Sequence, residues 1–205
     1  MRIGIFGGSF DPVHQGHLVV AECCREQAAL DRVVFVPAAT QPFKQHRVLA
    51  DGQHRSEMLG LAVGGNPAFT VSSLELDRGG VSYTVDTLAA LRAVHGSDEL
   101  FLILGPDALA SLPDWREPAR ILDLAGVIAV DREGLDDVSA AVQESGLAAL
   151  LGPERSRHVV ADRVVVPAIG IRSSDLRALV AAGRSIRYRT PRAVEQYIIS
   201  HGLYA

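Results

Sequence analysis

The chain has 205 residues, 48% of them hydrophobic, enough to bury a core without disulfide or metal staples. Lys and Arg number 20 against 24 Asp and Glu, and the net charge of −4 argues against a surface built for nucleic acid. No run approaches the roughly 20 apolar residues of a membrane span, and Gly4, Gly7, Gly8 and Asp11 break any signal-peptide pattern, so the cytoplasm is the expected location.

The first apolar run, residues 2–6, predicts a strand that enters Gly7-Gly8-Ser9. Asp11-Pro12-Val13-His14 then leads to Gly16-His17 and a helix predicted over 16–28. Cys23 and Cys24 adjoin on that helix, where neighbouring side chains diverge by about 100°, so they read as packing residues rather than a disulfide or metal clip. A strand is expected over 32–37, then a polar loop to Asp51 and a helix over 53–63. Residues 70–75 read as a strand, 84–94 as a helix and 100–104 as the most apolar strand. Further strands are expected at 126–130 and 164–166, with one helix between them over 135–151. Ser173 or Ser174 is placed to start a helix, and Thr190-Pro191 predicts a hydroxyl N-cap followed by proline at the first position of a last helix through 199.

Strands joined through helices imply an α/β fold. The expected form is a doubly wound (Rossmann-like), mostly parallel sheet with helices on both faces and a small helical C-terminal part, all in a single domain spanning 1–205. Ligands of such sheets bind beyond the carboxyl ends of the strands, where strand order reverses. The turns after Phe6, Pro37 and Leu104 are expected there.

The strand, glycine-rich turn and helix start at 2–17 suit a phosphate. Glycine permits positive φ and close approach, and a helix start offers N–H groups and the positive end of its dipole. His14 and His17, three apart, share a helix face and can donate hydrogen bonds to phosphate even when neutral. Two other readings stand beside this one. A histidine can be a structural hydrogen-bonding residue, and His-x-x-His beside Asp11 can ligate a metal, although no cysteine cluster or HExxH motif accompanies it. Arg177 follows a serine-started helix, a better place for a phosphate ligand than for a merely solvated charge. Arg184, Arg187, Arg189 and Arg192 read as a solvated basic face.

The segment GIFGGSFDPVHQGHL, residues 4–18, resembles the signature of the nucleotidyltransferase superfamily, whose (H/T)xGH element is met by His14-Gln15-Gly16-His17. Ile171-Arg172-Ser173-Ser174-Asp175-Leu176-Arg177 resembles that superfamily's second phosphate motif, ISSTxxR, with Arg172 in place of its first serine. Residues 82–88 (SYTVDTL), Gly105-Pro106-Asp107, Trp115-Arg116 and Asp131-Arg132 resemble one branch, the bacterial nicotinate-mononucleotide adenylyltransferases. The stretch from Gly183 to Tyr188, Tyr197-Ile198 and Leu203-Tyr204 fit the same branch.

The resemblance implies an enzyme that joins ATP and nicotinate mononucleotide into deamido-NAD and releases pyrophosphate. It implies catalytic roles for His14, His17, Lys44 and Arg177, and contacts to ATP and its phosphates from Gly7, Gly8, Ser9, Phe10, Gly16, Gly105, Asp107, Ser173 and Ser174. Tyr83, Thr84, Trp115 and Arg132 would bind the mononucleotide, Tyr83-Thr84 by backbone N–H groups at a helix start and Trp115 by stacking on the pyridine ring; as the chain's one tryptophan, it is alternatively a core anchor. Phe43 stands where the family commonly has histidine before its lysine, and Pro106 where it has alanine. Mg²⁺ is implied as cargo of the ATP phosphates, without a protein metal site. The implied partners are these small molecules, neither nucleic acid nor membrane, and oligomeric state stays open. Two alternatives remain: a relative that uses nicotinamide mononucleotide or phosphopantetheine as acceptor, and a nucleotide-binding regulator without turnover. Residues 82–88 and Trp115 argue against phosphopantetheine, and the presence of both histidines and Arg177 argues against a regulator.

Overall fold

The computed structural model describes residues 1–40, 50–134 and 137–205; Phe43 and Lys44 lie outside the described residues. Six strands, β1 (Arg2–Gly8), β2 (Arg32–Pro37), β3 (Phe69–Val71), β4 (Glu99–Leu104), β5 (Gly126–Arg132) and β6 (Val164–Val166), form one sheet in the order β3-β2-β1-β4-β5-β6. Parallel pairing runs from Arg2↔Glu99 to Ile5↔Leu102 between β1 and β4, from Phe101↔Gly126 to Leu104↔Ala129 between β4 and β5, and from Val130↔Val164 to Arg132↔Val166 between β5 and β6. The helices flanking the sheet are α1 (Gln15–Gln27), α2 (Gly52–Val63), α3 (Leu74–Arg78), α4 (Thr84–His95), α5 (Pro106–Ser111), α6 (Pro118–Leu124), α7 (Val138–Gln143), α8 (Ser145–Ala161), α9 (Ser173–Ala181) and α10 (Arg192–Ser200). This is the expected doubly wound α/β fold, with strand order reversing between β1 and β4 and two helices following the last strand. Val33 to Pro37 of β2 are buried without interruption, as are Leu102, Ile103 and Leu104 of β4, the pattern of parallel strands covered on both faces.

The chain forms two compact units. The first comprises Met1–Phe6, Val20–Val33 and Tyr83–Ala168. Here α4 packs on α6, α7 on α8, and α8 on β5. Gly4 allows close packing over β1, because a methyl group there would come within 2.7 Å of Leu30 Cδ1 and 3.0 Å of Ile103 Cδ1. The helix expected over 135–151 is divided: α7, capped by Asp137 Oδ1 on Ala140 N–H at 2.9 Å, ends at extended Glu144, and α8 then kinks at Gly152 (φ 71°) before Pro153. Pattern reading missed α5 and α6, although Pro106 and Pro118 stand in their first turns, a position that favours proline.

The second unit comprises Gly7–Val19, Val34–Ser82 and Ile169–Ala205. The strand expected over 70–75 stops at Val71; the Ser72 N–H donates to Phe35 O, and Leu74 opens α3 instead. The apolar-polar alternation of Leu74-Glu75-Leu76-Asp77 mimics a strand, but Ser73 Oγ bonds Asp77 Oδ2 at 2.6 Å across one helical turn and Glu75 is buried. α2 packs on α10, joined by the Tyr197 hydroxyl, which donates to Glu57 Oε2 and lies 2.8 Å from His54 Nδ1. Thr190 is not the N-cap of α10; that place falls to Pro191, because the buried Thr190 hydroxyl is spent on the Val13 carbonyl at 2.8 Å. Nor does Ser173 or Ser174 cap α9: Arg172 precedes it, and the two serines form its first turn.

Candidate active site

The turn after β1 belongs to the second unit, and its shape differs from the expectation that glycines supply positive φ. β1 runs on through Gly7 and Gly8 in extended conformation, and the left-handed residue is Phe10 (φ 48°). Phe10 adopts it because its ring has a strong reason to turn inward: it is 1% exposed, meets Phe35 at 5.7 Å and meets the His17 ring edge-on at 5.1 Å. Gly8 accommodates that ring, which would lie 3.0 Å from an added methyl. Gly7 is exposed, and a methyl there would meet nothing within 4 Å, so the turn keeps open space at this point.

His14 and His17 do come together. Their rings stack with centroids 3.7 Å apart, and the His14 backbone N–H donates to His17 Nδ1 at 3.2 Å. The side chain of the third helical residue thus caps the residue before the helix, half of a capping box made by histidine instead of glutamate. Because Nδ1 accepts, a neutral His17 carries its proton on Nε2. Burial lowers the His14 pKa to about 4, and it lowers that of His17 well below its ordinary value, with neighbouring His14 adding in the same sense. Both rings are therefore neutral donors at pH 7. Gly16 leaves room for the stack, since a methyl there would sit 3.1 Å from His14 Cε1 and Nδ1. The first-turn amides of α1 are partly occupied: Gln15 N–H already donates to Arg189 O at 3.0 Å.

Arg177 reaches the same turn from α9. Its Nη1 donates to the Asp11 carbonyl at 2.5 Å and lies 3.3 Å from Asp11 Oδ2. Asp11 is fully buried, and its Oδ1 accepts from the Tyr204 hydroxyl at 2.6 Å and the Ala50 N–H at 3.1 Å. Burial and that contact push the Tyr204 hydroxyl's pKa far up, so it stays a donor. Ser173 Oγ donates to Pro12 O at 2.9 Å, whereas Ser174 Oγ points to Asp175 at 3.2 Å. Ser9 contributes its carbonyl to Arg55 Nη1 at 2.9 Å.

The residues expected to bind the mononucleotide all fall in the first unit, together with Gly105 and Asp107. Tyr83 is the N-cap residue of α4 and Thr84 its first helical residue, as expected. Trp115 follows a 3₁₀ turn, Leu112–Asp114, and its indole N–H donates to Ser111 Oγ at 3.1 Å. Arg116 bridges the two places: its guanidinium lies 4.8 Å from the centre of the Tyr83 ring and 3.6 Å from Asp86. Gly105 caps α5, Asp107 is exposed in its first turn, and Arg132 ends β5 opposite Val166.

Residues 5–179 match the family described as cytidylyltransferase-like. The chain belongs to the cytidylyltransferase-like family. It is 48% identical to a protein of Roseiflexus sp. (strain RS-1) named "Probable nicotinate-nucleotide adenylyltransferase", over 98% of this chain and 97% of the relative. A Thermus thermophilus protein with the same name is 46% identical over the full length of both. Among solved structures, Plasmodium falciparum nicotinic acid mononucleotide adenylyltransferase complexed with NaAD has the same fold, with a TM-score of 0.73 at 18% identity over 99% of this chain and 97% of that one.

In this family member, pattern reading passed over Arg55, Thr190 and Tyr204 as site residues. Arg55 left a signal: it shares a helix face with Met58, Leu59 and Val63, an arginine on an apolar stripe. Thr190 and Tyr204 left no signal of their contacts to the turn, because their partners lie 177 and 193 residues away in sequence.

The depressed histidine pKa values carry a stability consequence. As pH falls below the ordinary 6.5, the unfolded chain protonates His14 first, so the folded state loses stability down to about pH 4, where folded His14 also protonates. Relative to pH 7 the loss from His14 alone is of order 3 kcal/mol, and His17 adds to it in the same direction. Melting temperature recorded from pH 7 to 4 should fall less steeply in His14→Asn than in the parent; parallel curves would show that burial does not hold the ring neutral.

Proposed function

We propose that this chain is a nicotinate-nucleotide adenylyltransferase, a single catalytic domain spanning 1–205, which joins ATP and nicotinate mononucleotide to give deamido-NAD and pyrophosphate in NAD biosynthesis. The observation that carries the reading is the stacked, neutral His14–His17 pair at the start of α1, with an arginine delivered to the same turn, which also keeps open space at Gly7. The full-length relatives and the family membership support it.

The chemistry needs no activated serine or general base, since the mononucleotide phosphate is already an anion. One of its oxygens forms a bond to the ATP α-phosphorus, the bond from that phosphorus to the bridging oxygen breaks, and the electron pair leaves on pyrophosphate. The obstacle is repulsion between polyanions, so positioning, worth about 7–11 kcal/mol in favourable cases, and donors aimed at developing charge do the catalysis. His17 Nε2–H and His14 supply neutral donors, while Ser174 and Arg177 hold the β- and γ-phosphates, the arginine by its planar fork. Gly7, Gly8, Ser9, Phe10, Gly16 and Ser173 shape the phosphate turn, Lys44 adds a cation, and Gly105 and Asp107 face the nucleotide sugars. The amides at Tyr83-Thr84 receive the pyridine carboxylate, with Arg116 placing positive charge near that helix start. Trp115 stacks on the ring, and Arg132 contacts the mononucleotide.

The groups proposed to face phosphate, His14, His17, Ser174 and Arg177, are N–H and O–H donors with no carboxylate among them, which suits phosphate oxygens rather than a cation, so Mg²⁺ would arrive on ATP and keep phosphate and water as its ligands. No described helix is long and apolar enough to cross a membrane, and we place the reaction in the cytoplasm with its ATP. The test is pyrophosphate release with ATP and Mg²⁺, offering nicotinate mononucleotide, nicotinamide mononucleotide and phosphopantetheine in parallel and identifying the product by mass. Deamido-NAD from the acid mononucleotide is the expected result. Preference for another acceptor would discard the carboxylate pocket, and ATP binding with no turnover would favour a regulator.

A further inference from the structure

In the turn between β1 and α1, one main-chain carbonyl after another is met by a side-chain donor of the second unit. Arg55 Nη1 takes Ser9 O, Arg177 Nη1 takes Asp11 O, Ser173 Oγ takes Pro12 O and Thr190 Oγ1 takes Val13 O. Carbonyl oxygens carry partial negative charge, and a turn that presents them to a polyanion repels it. Arg55 does the most of this work. The same Nη1 also donates to Ala38 O at 2.8 Å and its Nε to Ala50 O at 3.0 Å, so one guanidinium ties three segments together. Ala50 in turn donates its N–H to Asp11 Oδ1, and Asp11 pairs with Arg177.

Arg55 is 2% exposed on the inward face of α2, where a cation is costly unless its donors are satisfied and its charge is matched. The charge of fully buried Asp11 acts on it, and Asp11 is shared with Arg177. Asp51 at the start of α2 adds a second negative charge near the guanidinium, so the cation is matched where it is buried.

We propose that Arg55 is the positioning residue of the phosphate turn: by holding the Ser9, Ala38 and Ala50 carbonyls it keeps them turned away from the triphosphate of ATP. This rests on the adenylyltransferase reading for the identity of the ligand, but not for the presence of an anion site. A merely structural arginine would affect melting and both substrates alike. A positioning arginine acts on the polyphosphate selectively.

The test uses inorganic tripolyphosphate as probe, with the full chain and its Arg55→Lys variant. Lysine keeps the charge but cannot span three carbonyls with a fork. Tripolyphosphate binding measured by calorimetry is expected to weaken about tenfold and KM for ATP to rise about tenfold, while KM for nicotinate mononucleotide stays within twofold. A folded Arg55→Lys protein that binds tripolyphosphate as the parent does would overturn the proposal, as would equal losses for both substrates. If the variant fails to fold, the unaltered protein still decides: the Arg55 Nε–H resonance should shift on stoichiometric tripolyphosphate, and an unmoved resonance in a protein that binds the probe removes the role. Failure of the two readings is separable. Selective loss of tripolyphosphate binding in a chain that makes no dinucleotide would keep Arg55 and reject the adenylyltransferase, whereas turnover with unaltered binding in the variant would do the reverse.

Discussion

Replacing His17 with alanine is expected to lower kcat about 10²–10³-fold with a much smaller change in KM for either substrate, the signature of a donor whose contact strengthens at the transition state. The reason lies in its tautomer. His17 Nδ1 is engaged by the His14 backbone N–H, which leaves the Nε2 proton as the donor for charge growing on the leaving pyrophosphate. The same bond complicates the alanine variant, because losing it leaves the N-cap amide without its acceptor, a cost of about 1 kcal/mol. His17→Gln separates the two roles: glutamine at this position completes a capping box and so preserves the helix start while removing the imidazole. Both variants should melt close to the parent, and both should be slow. A well-folded His17→Ala protein with parental kcat would remove His17 from the chemistry, and recovery of kcat in the glutamine variant alone would assign it to capping.

Arg177→Lys is expected to lower kcat/KM for ATP by about 10–100-fold, the range of one or two lost charged hydrogen bonds, while KM for nicotinate mononucleotide stays within twofold. Lysine is the informative replacement because Asp11 is fully buried and pairs with Arg177. An alanine there would strand the carboxylate and unfold part of the protein at a cost of about 3–5 kcal/mol, which says nothing about ATP. Steady-state kinetics with each substrate varied in turn, beside a melting curve, make the measurement. Equal losses for ATP and mononucleotide would show that Arg177 holds the turn together without touching phosphate.

How much of this was legible in the residues differs from element to element. β2 and β6 were placed to the residue, and β1, β4, β5, α1, α2, α4 and α10 to within a residue or two, because buried parallel strands and the helices between them leave distinct apolar runs. α3 escaped because Leu74-Glu75-Leu76-Asp77 alternates like a strand over a length too short for helical periodicity to show. The long helix expected over 135–151 divides at extended Glu144, where no proline stands and Gly146, two residues on, is the one local breaker; α7 then packs on α8.

The motif GGSFDPVHQGHL, read by itself, determined that a strand ends in a turn, that a helix starts near His14, and that two histidines three apart share a face. Those are local properties, set by backbone geometry and spacing. What only the tertiary structure decided is which groups the turn exposes and which it spends. The positive φ fell to Phe10 because its ring packs on Phe35, not to the glycines; the hydroxyls of Thr190 and Ser173 went to the turn's carbonyls rather than to helix caps; and Arg55, Asp11 and Tyr204 met although up to 193 residues separate them. A carbonyl or a buried carboxylate must find its partner wherever the folded chain brings a donor within reach, and sequence spacing holds no record of that distance.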